Sequence, residues 1–333
     1  MSGATDMSRR LPFLLTPAAK DYLWGGNRLN DDFNFNLPIS PFAEAWVCST
    51  HPDGASHLST GEDLRDVLAQ EPEILGTHPL QTTGGKPELS ILIKLIDAKY
   101  DLSVQVHPDD DYAKRVEGQL GKTEMWYVLD AKPESTLVYG FREETDAVQV
   151  RKSIEDGTIT SLLNYVPIKR NDLFYIESGT VHAIGAGALI AEIQESSNVT
   201  YRMYDYDRVD KDGKKRNLNV NKALEVANLH SSRAPRQPMR VLKYNAGCAS
   251  ELLTRCKYFQ VERMLLNTEA RRELVSFQTG NNSFHALLII DGCGSISWEG
   301  GAMNFFKGDC IFVPANSELL KLHGKAQLLN VSC

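Results

Sequence analysis

The segment from Leu189 to Tyr204, LIAEIQESSNVTYRMY, decides the fold class of this chain. Apolar and polar positions alternate through both of its halves, and a period of two places successive side chains on opposite faces of a strand. The polar residues Glu195–Asn198 separate the two halves. The segment therefore predicts two β-strands that are joined by a turn at Glu195–Asn198.

Similar strand patterns recur along the chain, whereas the helical patterns are short. Strands are predicted at 90–96 (SILIKLI), 125–129, 172–176, 286–290 and 310–313. Short helices are predicted near 60–68, 110–119, 147–163 and 219–229 from apolar spacing and capping residues. Many short strands separated by Gly, Pro and Asp predict a mainly β protein, a sandwich or a barrel, with a few inserted helices.

The length of 333 residues is sufficient for two domains of roughly 100–200 residues each. A polar segment with two prolines, His230–Pro238 (HSSRAPRQP), is the clearest linker. We therefore predict a disordered tail at 1–10, a first unit at 11–235 and a C-terminal β unit at 239–333. The strand and turn pattern around Lys307–Asp309 resembles that around Lys169–Asp172, which is consistent with an internal duplication.

Composition and charge exclude several classes of function. The net charge of −7 and the pI near 5.7 argue against nucleic acid as a partner, because phosphate backbones select basic surfaces. No run approaches the roughly 18 apolar residues of a membrane helix. The polar N-terminus lacks the apolar core of a secretory signal, so a cytoplasmic location is expected. The six cysteines form no C-x-x-C pair, which predicts free thiols.

The candidate metal ligands begin with the segment Ser103–Asp110, SVQVHPDD. On a strand, Gln105 and His107 project from one face, because side chains alternate with period two. Two residues at this spacing are able to bind one metal ion from a β-scaffold. The alternative is that both are inward polar side chains held by hydrogen bonds, as most buried polar groups are.

Two later residues favour the metal interpretation. Glu124 opens the apolar strand that follows Lys122, and a buried carboxylate there costs free energy unless a cation compensates it. His182 follows a strand among small residues, where a loop histidine with ordinary hydrogen bonds is the alternative. Imidazole nitrogen and carboxylate oxygen are ligands of Zn²⁺, and the mixed set also accepts manganese, iron or cobalt.

Four motifs in this order resemble those of type I mannose-6-phosphate isomerases in their short bacterial form. They are 105–110 (QVHPDD), 121–127 (GKTEMWY), 178–185 (SGTVHAIG) and 200–208 (TYRMYDYDR), preceded by the similar opening segments 20–26 (KDYLWGG) and 44–46 (EAW). The resemblance runs from about Leu11 to Leu229, and several motifs in register are far more specific than any one alone.

The resemblance implies tandem cupin-type (jelly-roll) β-barrels, with the catalytic cupin domain at 11–235 and a cupin-like β domain at 239–333. It implies one zinc ion and the interconversion of mannose 6-phosphate and fructose 6-phosphate. The implied metal ligands are Gln105, His107, Glu124 and His182. Arg202 is implied at the reacting end of the sugar, and Lys94, Ser103 and Lys122 match substrate and phosphate positions. Asn198 stands where the family usually carries Asp.

An aldose–ketose isomerase needs a base of suitable pKa and a positive charge for the developing oxyanion. Arg202 is the candidate for that charge. Glu192 is either the base, with a pKa raised by burial, or the partner of Arg202 in an ion pair that braces a hairpin. Lys122 either serves in acid–base chemistry or binds phosphate. Trp24 is either a core residue or part of the mouth of the site.

Three classes of function remain open from the sequence. The first is the metal-dependent isomerase with a small sugar phosphate as its partner. The second is a non-catalytic bicupin that senses a sugar phosphate, and the third is an isomerase of another aldose phosphate. The complete ligand set together with Arg202 favours the first, and the sequence assigns no oligomeric state.

Overall fold

The computed structural model describes residues 10–33, 35–209, 212–232, 240–269 and 273–333. Its strands are β1 (Phe13–Thr16), β2 (Ala18–Lys20), β3 (Glu44–Cys48), β4 (His57–Leu58), β5 (Ile91–Asp97), β6 (Val104–Val106), β7 (Glu124–Ala131), β8 (Thr136–Phe141), β9 (Leu163–Pro167), β10 (Leu173–Ile176), β11 (His182–Ile184), β12 (Ala188–Glu195), β13 (Tyr201–Tyr204), β14 (Lys243–Asn245), β15 (Cys248–Arg255), β16 (Gln260–Asn267), β17 (Val275–Phe277), β18 (His285–Trp298), β19 (Gly301–Phe306), β20 (Cys310–Val313) and β21 (Leu320–Ser332).

The helices are short and lie between the strands, as predicted. They are α1 (Arg28–Phe33), α2 (Leu64–Gln70), α3 (Thr77–Thr82), α4 (Asp110–Val116), α5 (Ala147–Glu155) and α6 (Val220–Val226), with 3₁₀ turns at Pro72–Leu75 and Ile159–Ser161. Helix α2 begins after Asp63, whose side chain accepts a hydrogen bond from the Arg65 amide. No helix in the described part of the chain is long and apolar enough to cross a membrane.

Two sheets of the N-terminal half face each other and form a barrel. One sheet has the strand order β10-β7-β12-β5-β3-β2, and the other has the order β13-β6-β11-β8-β9. Alternate residues of β7 point in opposite directions, so that Trp126 and Val128 pack inside the barrel while Met125 and Tyr127 pack outside it. This strict alternation places the polar side chains of the same strands in the barrel interior.

The C-terminal half forms a second β-structure that packs against the outside of the first sheet. Its sheet has the order β14-β15-β16-β21-β18-β20-β1-β4, so β1 from the beginning of the chain pairs with β20. An apolar core that includes Ile93, Tyr127 and Phe312 joins the two halves. The predicted division at 11–235 and 239–333 stays a prediction. The tail at 1–9 and linker residues 233–239 lie outside the described residues.

The predicted turn between β12 and β13 exists, but it does not make a hairpin. Strand β12 pairs with β5 and β7, whereas β13 pairs with β6 of the opposite sheet. Gln194 Nε2 donates to the carbonyls of Glu195 (2.7 Å) and Ser197 (2.6 Å), which folds the chain across the end of the barrel. The hairpin expectation is therefore wrong, because alternation gives each strand's faces but not its partner.

All six cysteines are free thiols, as predicted.

Candidate metal centre and active-site cavity

Three predicted metal ligands converge inside the barrel. His182 begins β11 and is paired with Gln105 of β6, while Glu124 begins β7 in the facing sheet. His107 follows β6 and is fixed by a hydrogen bond from the Gly179 amide to its carbonyl (2.8 Å). Nε2 of His107 lies 3.6 Å from Glu124 Oε2, and Nε2 of His182 lies 3.5 Å from Glu124 Oε1. Facing sheets thus bring together residues far apart in sequence.

The chemistry of this cluster fits a bound cation. His107, Glu124 and His182 are buried, and candidate ligand atoms of all three lie within 4.8 Å of one another. Neither carboxylate oxygen of Glu124 accepts a hydrogen bond from the described residues. His182 Nδ1 lies 2.8 Å from the Thr180 carbonyl, which favours the tautomer with a proton on Nδ1 and a free lone pair on Nε2.

The shifted pKa values of these three residues favour a bound cation at this position. Burial lowers the pKa of His182 to about 4 and that of His107 well below its usual value, so both imidazoles are neutral ligands near pH 7. Burial and the nearby Glu192 carboxylate raise the pKa of Glu124 to about 8. A positive ion between these groups would return Glu124 to its ionised form.

Gln105, the fourth predicted ligand, lies beside the cluster but presents its nitrogen to it. Its Nε2 is 3.4 Å from His182 Nε2, and its Oε1 is 3.4 Å from the Ser103 hydroxyl, which donates to it. Oxygen and nitrogen of an amide are assigned from such contacts. Binding of a metal by Gln105 requires its Oε1 to face the cluster instead.

Glu192 faces the same interior but is paired differently from the prediction. Its Oε1 lies 3.0 Å from Lys94 Nζ, and its Oε2 accepts a hydrogen bond from Trp126 Nε1 (2.9 Å). Burial opposes ionisation, but Lys94 and Lys122 outweigh it and lower the pKa of Glu192 below its usual value. The expected raised pKa is therefore wrong, and so is the expected ion pair with Arg202.

The remaining predicted residues line one cavity of about 270 Å³ beside the metal cluster. Arg202 Nε donates to the Ser103 hydroxyl (3.2 Å) and Nη1 donates to the Asn217 carbonyl (3.1 Å), which fixes the guanidinium plane. Lys122 Nζ lies 3.5 Å from Glu124 Oε2. Trp24 is 3 % exposed and lines the cavity, so it is both a core residue and part of the wall.

Several residues of the cavity wall were missed by the sequence predictions, and the polar or charged ones among them include Tyr22, Glu44 and Arg216. Glu44 opens the buried strand β3, as Glu124 opens β7, so the same argument about a buried carboxylate would have identified it. It accepts a hydrogen bond from Trp46 Nε1 (2.6 Å). Arg216 follows a polar loop whose sequence has no pattern that points toward a cavity. Its guanidinium is held by Asp205, which also binds Arg208.

The chain is similar to known proteins in both sequence and structure. A sequence profile described as phosphomannose isomerase type I, catalytic domain, matches residues 13–144. A second profile, described as mannose-6-phosphate isomerase, cupin domain, matches residues 249–333. The second match and the two β-structures confirm the prediction of a mainly β, cupin-type fold.

Individual relatives agree with the profiles over nearly the whole chain. The chain is 34 % identical to mannose-6-phosphate isomerase ManA of Bacillus subtilis over 326 residues, which are 96 % of this chain and 98 % of that protein. Mannose-6-phosphate isomerase of Streptococcus mutans is 32 % identical, with 96 % and 97 % covered. The crystal structure of mannose 6-phosphate isomerase from Bacillus subtilis superposes with a TM-score of 0.85 at 32 % identity, covering 97 % of this chain and 99 % of that one.

Proposed function

The chain belongs to the type I phosphomannose isomerase family, and on this premise we propose that it interconverts mannose 6-phosphate and fructose 6-phosphate through an enediol. The observation that carries the proposal is the buried cluster of His107, Glu124 and His182, which lies beside a cavity lined by Glu192 and Arg202. Two neutral imidazoles and a carboxylate form a metal-binding set, and the family is metal-dependent. Zinc is the proposed ion, because this nitrogen and oxygen set is typical of catalytic zinc sites.

The buried ligands His107, Glu124 and His182 would hold the metal, and Gln105 would complete the set through its amide oxygen. When bound, the metal supplies positive charge to the sugar oxygens and stabilises the negative charge that develops on them. The cavity beside it is the proposed substrate site, with Ser103 and Trp24 in its wall. A cytoplasmic location stays a prediction.

Glu192 is the proposed general base. Because Lys94 and Trp126 stabilise its carboxylate, Glu192 is ionised near neutral pH and is able to accept a proton. It would remove the proton from C2 of the open-chain aldose, which gives the enediol, and return it to C1. A second proton moves from O2 to O1 in the same conversion, so the product is the ketose. The role of Lys94 is therefore to keep the Glu192 carboxylate ionised.

Arg202 and Lys122 are the proposed partners of the substrate oxygens. The guanidinium of Arg202 is held in place by Ser103 and Asn217, so it presents a fixed positive charge to the oxyanion of the enediolate. Lys122 projects into the same cavity beside Glu124, where its ammonium is able to bind phosphate or to exchange a proton during ring opening.

A coupled assay of fructose 6-phosphate formation from mannose 6-phosphate, before and after chelation and with metal analysis, tests this function. We expect turnover in protein that contains about one zinc ion per chain, loss after chelation and recovery after zinc is restored. Full activity without stoichiometric metal would contradict the metal mechanism. Binding of mannose 6-phosphate without turnover would favour the sensor, and turnover of glucose 6-phosphate alone would favour another substrate.

A further inference from the structure

Residues 120–123, which we call the catalytic strap, immediately precede Glu124 and contain Lys122. The strap therefore delivers one proposed metal ligand and one proposed substrate ligand to the cavity. The backbone of each strap residue makes a hydrogen bond. Two of these bonds are to carboxyl side chains: the Gly121 amide donates to Asp110 Oδ1 (3.1 Å), and the Thr123 amide donates to Glu195 Oε1 (2.8 Å). In the other two, Ser197 Oγ donates to the Leu120 carbonyl (2.9 Å), and the Lys122 amide donates to the Pro108 carbonyl (3.1 Å). Such a strap has little freedom to move.

The strap lies directly against the beginning of α4. A Cβ atom on Gly121 would lie only 2.6 Å from the Asp109 carbonyl carbon and from the Asp110 nitrogen. Only glycine permits so close an approach of two backbones. Asp110 is thus able to bind the Gly121 amide directly.

Two of the groups that hold the strap, Asp110 and Glu195, are carboxyls whose charges interact. Two carboxylates repel each other, and a proton on one of them removes this repulsion. Burial and the neighbouring Asp110 raise the pKa of Glu195 to about 8. Glu195 is therefore protonated near neutral pH. It accepts from the Thr123 amide, and its proton would be available for donation to Asp110.

The C-terminal half of the chain completes this arrangement. Tyr258 lies in the loop between β15 and β16, and its hydroxyl donates to Asp110 Oδ2 (3.1 Å). Lys257 Nζ from the same loop lies 3.3 Å from that oxygen but is largely exposed. Asp110 therefore accepts from the strap with one oxygen and from the C-terminal half with the other.

We propose that Asp110 and Glu195 are positioning residues that, held from the C-terminal half by Tyr258, fix Lys122 in the cavity and Glu124 in the metal cluster. The C-terminal β-structure would then contribute to the geometry of the site although none of its residues lines the cavity in the described part of the chain. The positioning of Lys122 rests on the proposed function, whereas the positioning of Glu124 is measurable through metal binding alone.

The test compares Tyr258→Phe with Tyr244→Phe, a matched removal of a hydroxyl from an exposed tyrosine of the same half. The measurements are kcat and KM for mannose 6-phosphate, the dissociation constant of zinc for the apoprotein, and the thermal midpoint. Because the lost bond is made to a charged acceptor, we expect Tyr258→Phe to lower kcat and weaken zinc binding by roughly fivefold each. KM and the thermal midpoint should change little, and Tyr244→Phe should match the wild type.

A second pair of variants, Glu195→Gln and Glu195→Ala, tests the shared proton. Gln retains an acceptor for the Thr123 amide and a donor for Asp110, so it should restore the kcat and zinc affinity that Ala lowers by about tenfold. Equal losses in Gln and Ala, or a Tyr258→Phe protein identical to the wild type in zinc affinity, would overturn the proposal. If the wild type binds zinc but does not isomerise mannose 6-phosphate, the proposed function fails while the zinc measurements still decide the positioning.

Discussion

Lys94 Nζ lies 3.0 Å from Glu192 Oε1, and the two residues are directly opposite each other on the paired strands β5 and β12. Both side chains are buried, with exposed fractions of 4 % and 5 %. Burial alone would keep the carboxyl neutral, so the ammonium decides its charge. Glu44 Oε2, at 3.9 Å from the same Nζ, shares this cation. The proposed base is thus ionised by an interaction across the strand pair.

We expect Lys94→Met to raise the pKa of Glu192 and to move the acidic limb of the kcat/KM profile to higher pH. The wild-type pKa is lowered by Lys94, so removal of the ammonium takes away the nearest cation of Glu192, leaving Lys122, and the cation beside Glu44. Breaking a buried ion pair costs about 3–5 kcal/mol of unfolding free energy. Lys86→Met, which removes an exposed partner of Glu88, is the control and should cost less than about 1 kcal/mol. An unshifted acidic limb would exclude Glu192 as the titrating base.

His107→Ala should abolish both zinc binding and turnover. The variant removes one of two neutral imidazoles that converge on Glu124, and the three remaining proposed ligands, only one of them an imidazole, hold zinc far more weakly than four. Metal analysis after dialysis and the coupled assay measure the two losses. The control is His230→Ala, because His230 is an exposed imidazole outside the cavity. A His107→Ala protein that retains zinc and normal activity would show that the proposed ligand set is wrong.

The sequence predicted the strands and singled out His107, Glu124 and His182, which the fold brings together, but it did not predict which strands lie side by side. Alternation in residues 188–204 identifies two strands, yet it is equally compatible with a hairpin and with a crossing to the opposite sheet. The actual crossing depends on Gln194, which bonds the carbonyl of Ser197, and on Ser197, whose bond to the distant Leu120 carbonyl has no local pattern. For the same reason the sequence predicted a raised pKa for Glu192, because the register that places Lys94 opposite it was unknown.

Arg202→Ala should lower kcat by about 100-fold while KM changes much less. Its guanidinium is fixed by Ser103 and Asn217 and is proposed to stabilise charge that exists only in the transition state. Loss of a ground-state contact would instead raise KM with kcat unchanged. Steady-state kinetics distinguish a loss of kcat from a rise in KM. Arg170→Ala, which removes an exposed arginine, is the control. Unchanged activity in Arg202→Ala would remove this residue from the chemistry.

We expect the effects of substitutions at Asn198 and Asp53 on kcat/KM to depend on each other. Asn198 Nδ2 donates to Asp53 Oδ2 (2.7 Å), so a carboxylate remains beside the cavity although residue 198 is an amide. Asn198→Asp places two carboxylates in contact and should lower kcat/KM by about threefold, a modest effect because Asp53 is half exposed. The exchange Asp53→Asn with Asn198→Asp restores the hydrogen bond and should recover most of the loss. Strictly additive effects of the two substitutions would contradict this coupling.

The stability of Glu195→Gln relative to the wild type should increase with pH. The pKa of Glu195 is about 8 in the folded protein, raised from 4.5 by burial and by Asp110. A raised folded pKa means that the stabilising contribution is complete below about pH 4.5 and is lost as pH rises toward about 8, because only the unfolded chain ionises in this window. Glutamine does not titrate, so it escapes this loss.

Thermal midpoints of both proteins between about pH 5 and pH 9 measure this difference. Asp110 and Tyr258 interact with Glu195, and Lys257 interacts with both of them. All three groups are present in both proteins, so the difference reports residue 195 together with its coupling to Asp110. The advantage of Glu195→Gln should grow by several degrees up to about pH 8 and then become constant. A difference that is constant across the whole range would mean that Glu195 is already ionised at neutral pH, and that Asp110 and Glu195 share no proton.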